Sequence, residues 1–171
     1  EIGINHGGNF ARCKKMIIKA KKAGADAVKL QTINHNESYM KTTKSYTTFK
    51  GKNFSDRQLS QLIKIAKKNK IIFFTTPGDI SSLIRIKKLN IPAIKISSGL
   101  FTNLPLIEEA CKLNRPIILS CGLAYYEEIK SVIKLIRRKT NKFALLKCTS
   151  LYPAPDETLN LNTISKLKNE F

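Results

Sequence analysis

No apolar run in this 171-residue sequence approaches the ~20 residues that a bilayer-spanning helix requires, so the reading calls for no helical membrane span. Nothing at the start has the charged-then-apolar plan of a secretion signal, and residue 1 is Glu1 rather than methionine. The chain is therefore expected to be a piece of a longer, cytoplasmic protein. Four cysteines, Cys13, Cys111, Cys121 and Cys148, show no C-x-x-C spacing, which argues against a zinc site or a redox motif. Each falls in an apolar stretch, where a thiol behaves as a small hydrophobe, and a reducing compartment is the simplest setting. No G-x-G-x-x-G follows a strand-like run. The glycines of GINHGGN stand at 3, 7 and 8, the wrong spacing for a dinucleotide turn. No Ser-His-Asp set and no carboxylate pair is supported by spacing.

Acidic residues are scarce. There are 12 against 31 Lys and Arg, a formal charge of +19. Such a balance invites a nucleic-acid reading, but the lysines are dispersed along amphipathic stretches such as KKMIIKAKKAG and QLIKIAKKNK, where they take the polar face. A solvated basic surface, able to attract anionic substrates, is the expectation, with neither nucleic acid nor membrane as partner.

What is present is a rhythm. Short runs rich in Ile, Val, Phe and Leu alternate with longer amphipathic segments. Strands are expected near 1–5, 26–31, 71–75, 93–97, 116–120 and 143–148. Helices fit near 10–23, 56–69, 79–89, 104–113, 125–138 and 159–169. In the first helix Ala11, Met16, Ile17, Ala20 and Ala23 fall roughly on one face, and Gly24 is placed to end it. Ser55 and Asp79 are suited to cap helices, as are Asp156 and Glu157 for the last one. Six β-α units with short connections imply a parallel sheet with right-handed crossovers. Two architectures fit: a doubly wound open sheet, or an α/β (β/α)8 TIM barrel present as its first six units. Residues 32–55 break the rhythm with a polar stretch of no clear period, and so long a loop is expected to be functional or mobile.

In both architectures ligands bind at the C-terminal ends of the strands. There the sequence places Asn5 and His6; Lys29, Gln31 and Thr32; Thr75 and Thr76; Lys95, Ser97 and Ser98; Ser120; and Lys147, Thr149, Ser150 and Tyr152. Residues two apart share a strand face, so Lys29 goes with Gln31 and Lys95 with Ser97. Two lysines among hydroxyls and amides suit a compact, multiply charged ligand such as a phosphate ester. The competing arrangement turns a lysine toward the helices, or pairs it with a carboxylate such as Glu1. Glu1 itself is expected low in the barrel, and His6 is expected to be a hydrogen-bonded structural residue.

Six motifs carry a further likeness: EIGINHGGN (1–9), GADAVKLQT (24–32), FFTTP (73–77), IPAIKISSG (91–99), RPIILSCGL (115–123) and LLKCTSLYPAP (145–155). In order and spacing, over essentially all of 1–171, they resemble the strand motifs of the sialic acid synthase family, which includes N-acetylneuraminate, legionaminate and pseudaminate synthases. The resemblance implies a (β/α)8 barrel followed by an antifreeze-like C-terminal domain. It implies condensation of phosphoenolpyruvate with an N-acetylated amino sugar, dependence on a divalent metal (manganese or magnesium), and a homodimer at full length. By position it implies that Lys29, Lys95, Ser98, Ser120 and Ser150 bind phosphoenolpyruvate, with Gln31, Thr76 and Tyr152 near that ligand. Glu1 matches a glutamate beside the reacting carbons, so the catalytic set is Glu1, Lys29 and Lys95.

The pattern also departs from the family. Leu100 stands where many members carry an acidic residue that contacts the acceptor, and Lys147 where histidine is common. The last two β-α units, with the family's metal-binding histidines, and the C-terminal domain lie outside this chain. No metal ligand is therefore expected within it. An open six-strand barrel exposes two edges and part of its interior, so the chain alone is expected to be poorly soluble and inactive. Read from the residues without the likeness, a phosphate-binding aldolase with a Schiff-base lysine at 29 or 95 stays open.

Overall fold

The computed structural model describes residues 1–171. Its elements run in chain order as helix α1 (Phe10–Lys22), strand β1 (Ala27–Thr32), α2 (His35–Ser38), α3 (Lys44–Phe49), α4 (Asp56–Lys68), β2 (Ile72–Pro77), α5 (Ile80–Lys87), β3 (Ile94–Ile96), α6 (Leu104–Cys111), β4 (Ile117–Ser120), α7 (Tyr126–Arg137), β5 (Phe143–Leu146) and α8 (Thr163–Glu170). The chain forms two compact units, Glu1–Ile94 and Lys95–Phe171. Strand β3 contributes Ile94 to the first and Lys95 and Ile96 to the second. The sheet order is the chain order, β1 to β5.

In the first unit β1 and β2 pair in parallel from Ala27–Ile72 to Thr32–Pro77, and β2 meets β3 at Thr75–Ile94. Alternation along β1 buries Val28, Leu30 and Thr32. Val28 and Leu30 join Phe73 with Ile17 of α1 and Leu59, Leu62 and Ala66 of α4 in one core. That leaves Lys29 and Gln31 on the opposite face. The α1 face toward this core is Cys13, Met16, Ile17 and Ala20. Ala11 and Ala23, expected on it, are exposed instead. Burial pushes the Cys13 thiol up to about 12, as an apolar surround must.

Helix ends follow the sequence closely. Ser55 and Gln58 form a reciprocal capping box on α4, and the Asp79 carboxylate accepts the Ser82 N–H at the start of α5. Much of the positive charge finds its place at C-terminal turns: Lys19, Lys21 and Lys22 on α1, Lys67 and Lys68 on α4, Arg85 and Lys87 on α5. Cations there complement the carbonyl end of the helix dipole.

Three expectations are corrected. Residues 1–5 form no strand: only Gly3 bridges to Leu30. Gly3 has φ +54°, and Asn5 N–H turns back to the Ile2 carbonyl. A left-handed residue followed by a tight turn cannot extend a ladder. The excursion 33–55 is not structureless, since it contains α2 and α3. His35 meets Tyr46 at 4.9 Å and Tyr39 stacks on Phe49 at 5.1 Å. Its neck is tied by Asn53, whose amide accepts the Ile33 N–H at 3.0 Å and donates to the Ile33 carbonyl. Finally, Asp156 and Glu157 do not cap α8. They lie in a separate 3-10 turn, and the residue before α8 is Asn162.

In the second unit β4 and β5 pair in parallel from Ile117–Phe143 to Ser120–Leu146. Leu106 and Ile107 of α6 and Val132, Ile133 and Ile136 of α7 are buried, together with Phe101, Ile117 and Leu119. No helix is long and apolar enough to cross a membrane.

Candidate functional site

Each unit carries a lysine surrounded by oxygen-bearing side chains. In the first, the Lys29 ammonium is 2.9 Å from Glu1 Oε1 and donates to Thr76 Oγ1 at 2.9 Å. The β1–β2 register dictates the second contact, because Gln31 lies opposite Thr76 on the face that Lys29 shares. A Cβ added at Gly3 would come within 3.2 Å of Glu1 Oε1 and 3.8 Å of Gln31 Oε1. Glu1, Lys29, Gln31 and Thr76 are thus brought together. Glu1 reaches the lysine beside the strand ends, not low in a barrel as strand geometry alone suggested.

In the second unit the Lys95 ammonium donates to Ser120 Oγ at 2.5 Å and to the Ile96 carbonyl at 2.7 Å. Only 8 % of Lys95 is exposed, so its charge is well sheltered. The Gly122 N–H donates to Ser98 Oγ at 3.2 Å, and a Cβ on Gly122 would lie 2.8 Å from Ser150 Oγ. Ser98 and Ser150 therefore flank one glycine. Tyr152 stands apart, 97 % exposed, ahead of the cis bond to Pro153.

The protons of these hydroxyls can be assigned from chemistry. An ammonium has three donors and no acceptor, so a hydroxyl that meets it must accept. The Thr76 and Ser120 oxygens accept from Lys29 and Lys95, and the Ser98 oxygen accepts from a backbone N–H. Each hydroxyl is left with its own O–H to give. In each unit an ammonium beside hydroxyls that keep an O–H suits an anion better than a cation.

Other strand-end residues are committed elsewhere. Thr32 and Thr75 hydrogen-bond to each other at 2.9 Å, and Thr75 also donates to the Leu30 carbonyl, within the helix-packed face. Lys147, expected near the mouth, shares a β5 face with Phe143 and Leu145. It lines a cavity of about 330 Å³ with Ile164 and Leu167 of α8, and donates to Thr149 Oγ1 at 2.7 Å. His6 is fully buried, as its structural reading requires, and stacks on Phe54 at 4.5 Å. Its Nδ1 accepts the Gly8 N–H at 3.0 Å, while Nε2 makes no hydrogen bond of normal geometry. Burial, aided by the Lys52 charge, pushes its pKa down against a smaller opposing pull from the Gly3 carbonyl. Sequence reading missed Gly122; the signal was a glycine two residues beyond a strand-end serine.

Comparison with known proteins places this geometry. The NeuB family model matches residues 16–171. The chain belongs to the NeuB family. Among curated relatives of this NeuB chain, MJ1065 of Methanocaldococcus jannaschii is 37 % identical over the whole chain and 51 % of its own length. The N,N'-diacetyllegionaminic acid synthase of Campylobacter jejuni is 35 % identical over the whole chain and 56 % of its own. The chain spans about half the length of the curated relatives it matches. A crystal structure of N-acetylneuraminic acid synthetase from Leptospira borgpetersenii, in complex with citrate, superposes on the whole chain with a TM-score of 0.96 at 32 % identity, covering 60 % of that protein. The TIM-barrel reading of the parallel β/α succession is thereby upheld over the doubly wound alternative.

Proposed function

We propose that this NeuB-family chain contributes the phosphoenolpyruvate-binding residues of a synthase that joins phosphoenolpyruvate to an N-acetylated amino sugar, releasing phosphate and a sialic-type acid. The observation that carries the reading is the sheltered Lys95 ammonium on Ser120 Oγ, with that hydroxyl left as a donor. It is supported by the names of relatives, among them human N-acetylneuraminate-9-phosphate synthase at 30 % identity; Lys29 takes the competing arrangement in part, being paired with Glu1 while also donating to Thr76.

The chemistry assigned to these residues is binding, orientation and charge stabilisation. Phosphoenolpyruvate carries a phosphate and a carboxylate; in the second unit the Lys95 ammonium offsets such charge while Ser98, Ser120 and Ser150 donate hydrogen bonds, and in the first Lys29 and Thr76 offer the same functions. Its C3 attacks the acceptor's carbonyl carbon, water adds at C2, and the C2–O bond then breaks to expel phosphate. Donors already in place hold the departing group without reorganising. Glu1, the one carboxylate among them, lies beside Lys29 on the reacting side.

The divalent metal that the family likeness implies does not fit these residues. The two groups hold ammonium, hydroxyl and amide functions, and their one carboxylate is already paired with Lys29. A divalent metal needs several lone-pair donors such as carboxylates or imidazoles, and ammonium groups beside it repel it. We place its ligands outside this chain and route no step through it.

The deciding experiment is calorimetry of phosphoenolpyruvate binding to the full-length protein and its Lys95→Ala variant. Truncating one partner of a buried, hydrogen-bonded charge contact is expected to cost about 2–5 kcal/mol of binding, a loss of affinity of about 30-fold or more. Unchanged affinity would take Lys95 out of the site and the proposal with it.

A further inference from the structure

Gly122 lies two residues past the end of β4. It is not among the glycines with positive φ, so its backbone is one that other residues adopt. Its lack of a side chain is a matter of space. A Cβ there would sit 2.8 Å from the Cys148 carbonyl oxygen, 2.8 Å from Ser150 Oγ and 3.0 Å from Cys148 Cβ. The same residue's N–H donates to Ser98 Oγ. One glycine therefore fixes two hydroxyls by different means, one through a hydrogen bond and one through an empty volume.

We infer that Gly122 is a positioning residue of the anion site: its N–H orients the Ser98 hydroxyl, whose O–H stays free to donate, and its missing side chain keeps the Ser150 hydroxyl in place. The inference rests on the phosphoenolpyruvate reading above and adds a residue that acts through its neighbours. A hydroxyl that accepts from an N–H keeps its own O–H free to give onward. A methyl group at 122 would drive the Cys148–Ser150 backbone outward by several tenths of an ångström, enough to misplace a hydrogen bond to a charged ligand.

The test is calorimetry with phosphoenolpyruvate on the full-length protein and on Gly122→Ala, Ser150→Ala and the double variant. Each single change is expected to raise the dissociation constant about tenfold, as for a hydrogen bond to a charged group. The double variant is expected to lose scarcely more than either, because the added methyl acts by displacing a hydroxyl that is no longer there. Losses that multiply, or a Gly122→Ala protein with native affinity, would overturn the inference. A second measurement serves if Gly122→Ala does not fold. The Gly122 amide resonance is expected to shift on saturation with phosphoenolpyruvate in the native protein and to stay in place in Ser98→Ala; no shift in the native protein overturns it equally. Lys95→Ala separates the two readings. Native affinity in that variant defeats the phosphoenolpyruvate reading, whereas lost affinity there with native affinity in Gly122→Ala defeats only the glycine's role.

Discussion

Glu1 Oε1 lies 2.9 Å from Lys29 Nζ, with the lysine side chain 12 % exposed and the glutamate 56 %. The carboxylate is wet, so its attraction is strongly screened. Its negative charge opposes an incoming anion, and the proposed function sets it beside the reacting carbons. Glu1→Gln keeps the size and removes the charge. In the full-length protein it is expected to tighten phosphoenolpyruvate binding about threefold, the scale of an exposed ion pair, while turnover falls at least ~100-fold, as for a lost acid–base group. Calorimetry and steady-state kinetics read the two effects; native turnover would take Glu1 out of the chemistry.

His6 couples stability to pH. Its folded pKa is depressed by burial, and secondarily by Lys52, below the ordinary 6.5. The unfolded chain therefore binds the proton more readily. The stabilisation that follows is fully present above pH ~6.5 and is lost as pH falls from there through the depressed folded value. His6→Gln, which cannot titrate, is expected to flatten the thermal-melting profile between about pH 6.5 and 5. An unaltered slope would show that other groups carry the acid sensitivity.

Asn53 closes the neck of the excursion by pairing with both backbone groups of Ile33. Asn53→Ala leaves two backbone groups without that partner, at about 2 kcal/mol. Cleavage within residues 34–52 by a dilute protease is expected to accelerate about 30-fold through local opening. Phosphoenolpyruvate affinity of the full-length protein is expected to stay within about twofold, since β1 and β2 are paired independently of the neck. Equal protease resistance would mean that the aromatic pairs and the Asp79 bonds to Asn34 and Ser38 hold the segment without the clasp.

The strands were legible because buried β positions need apolar side chains, and the runs at 26–31, 71–75, 93–97, 116–120 and 143–148 have little else. Lys29 and Lys95 stood out against that background for the same reason. The segment 1–5 misled because its apolar spacing is strand-like while Gly3 takes a left-handed conformation that no periodicity records. Helices α2 and α3 were invisible because neither has a buried residue. They are held by ring stacking and by the Asn34 and Thr43 caps, which leave no 3.6-residue pattern. Lys147 was misplaced because the residues after β5 read as one more strand mouth, whereas its side chain follows Phe143 and Leu145 toward α8. Gly122 was overlooked because an absent side chain has no chemistry to notice until its neighbours are located.

The Asn53 clasp has an evolutionary corollary. Ile33 and Asn53 are bound to each other, and the start of the interval is pinned to the scaffold where Asn34 and Ser38 bond Asp79, so changes in length beyond residue 38 leave the neck closed. Lengthening that interval adds only a slowly growing closure entropy and leaves the β1–β2 register intact. Insertions and deletions can accumulate there without refolding the rest.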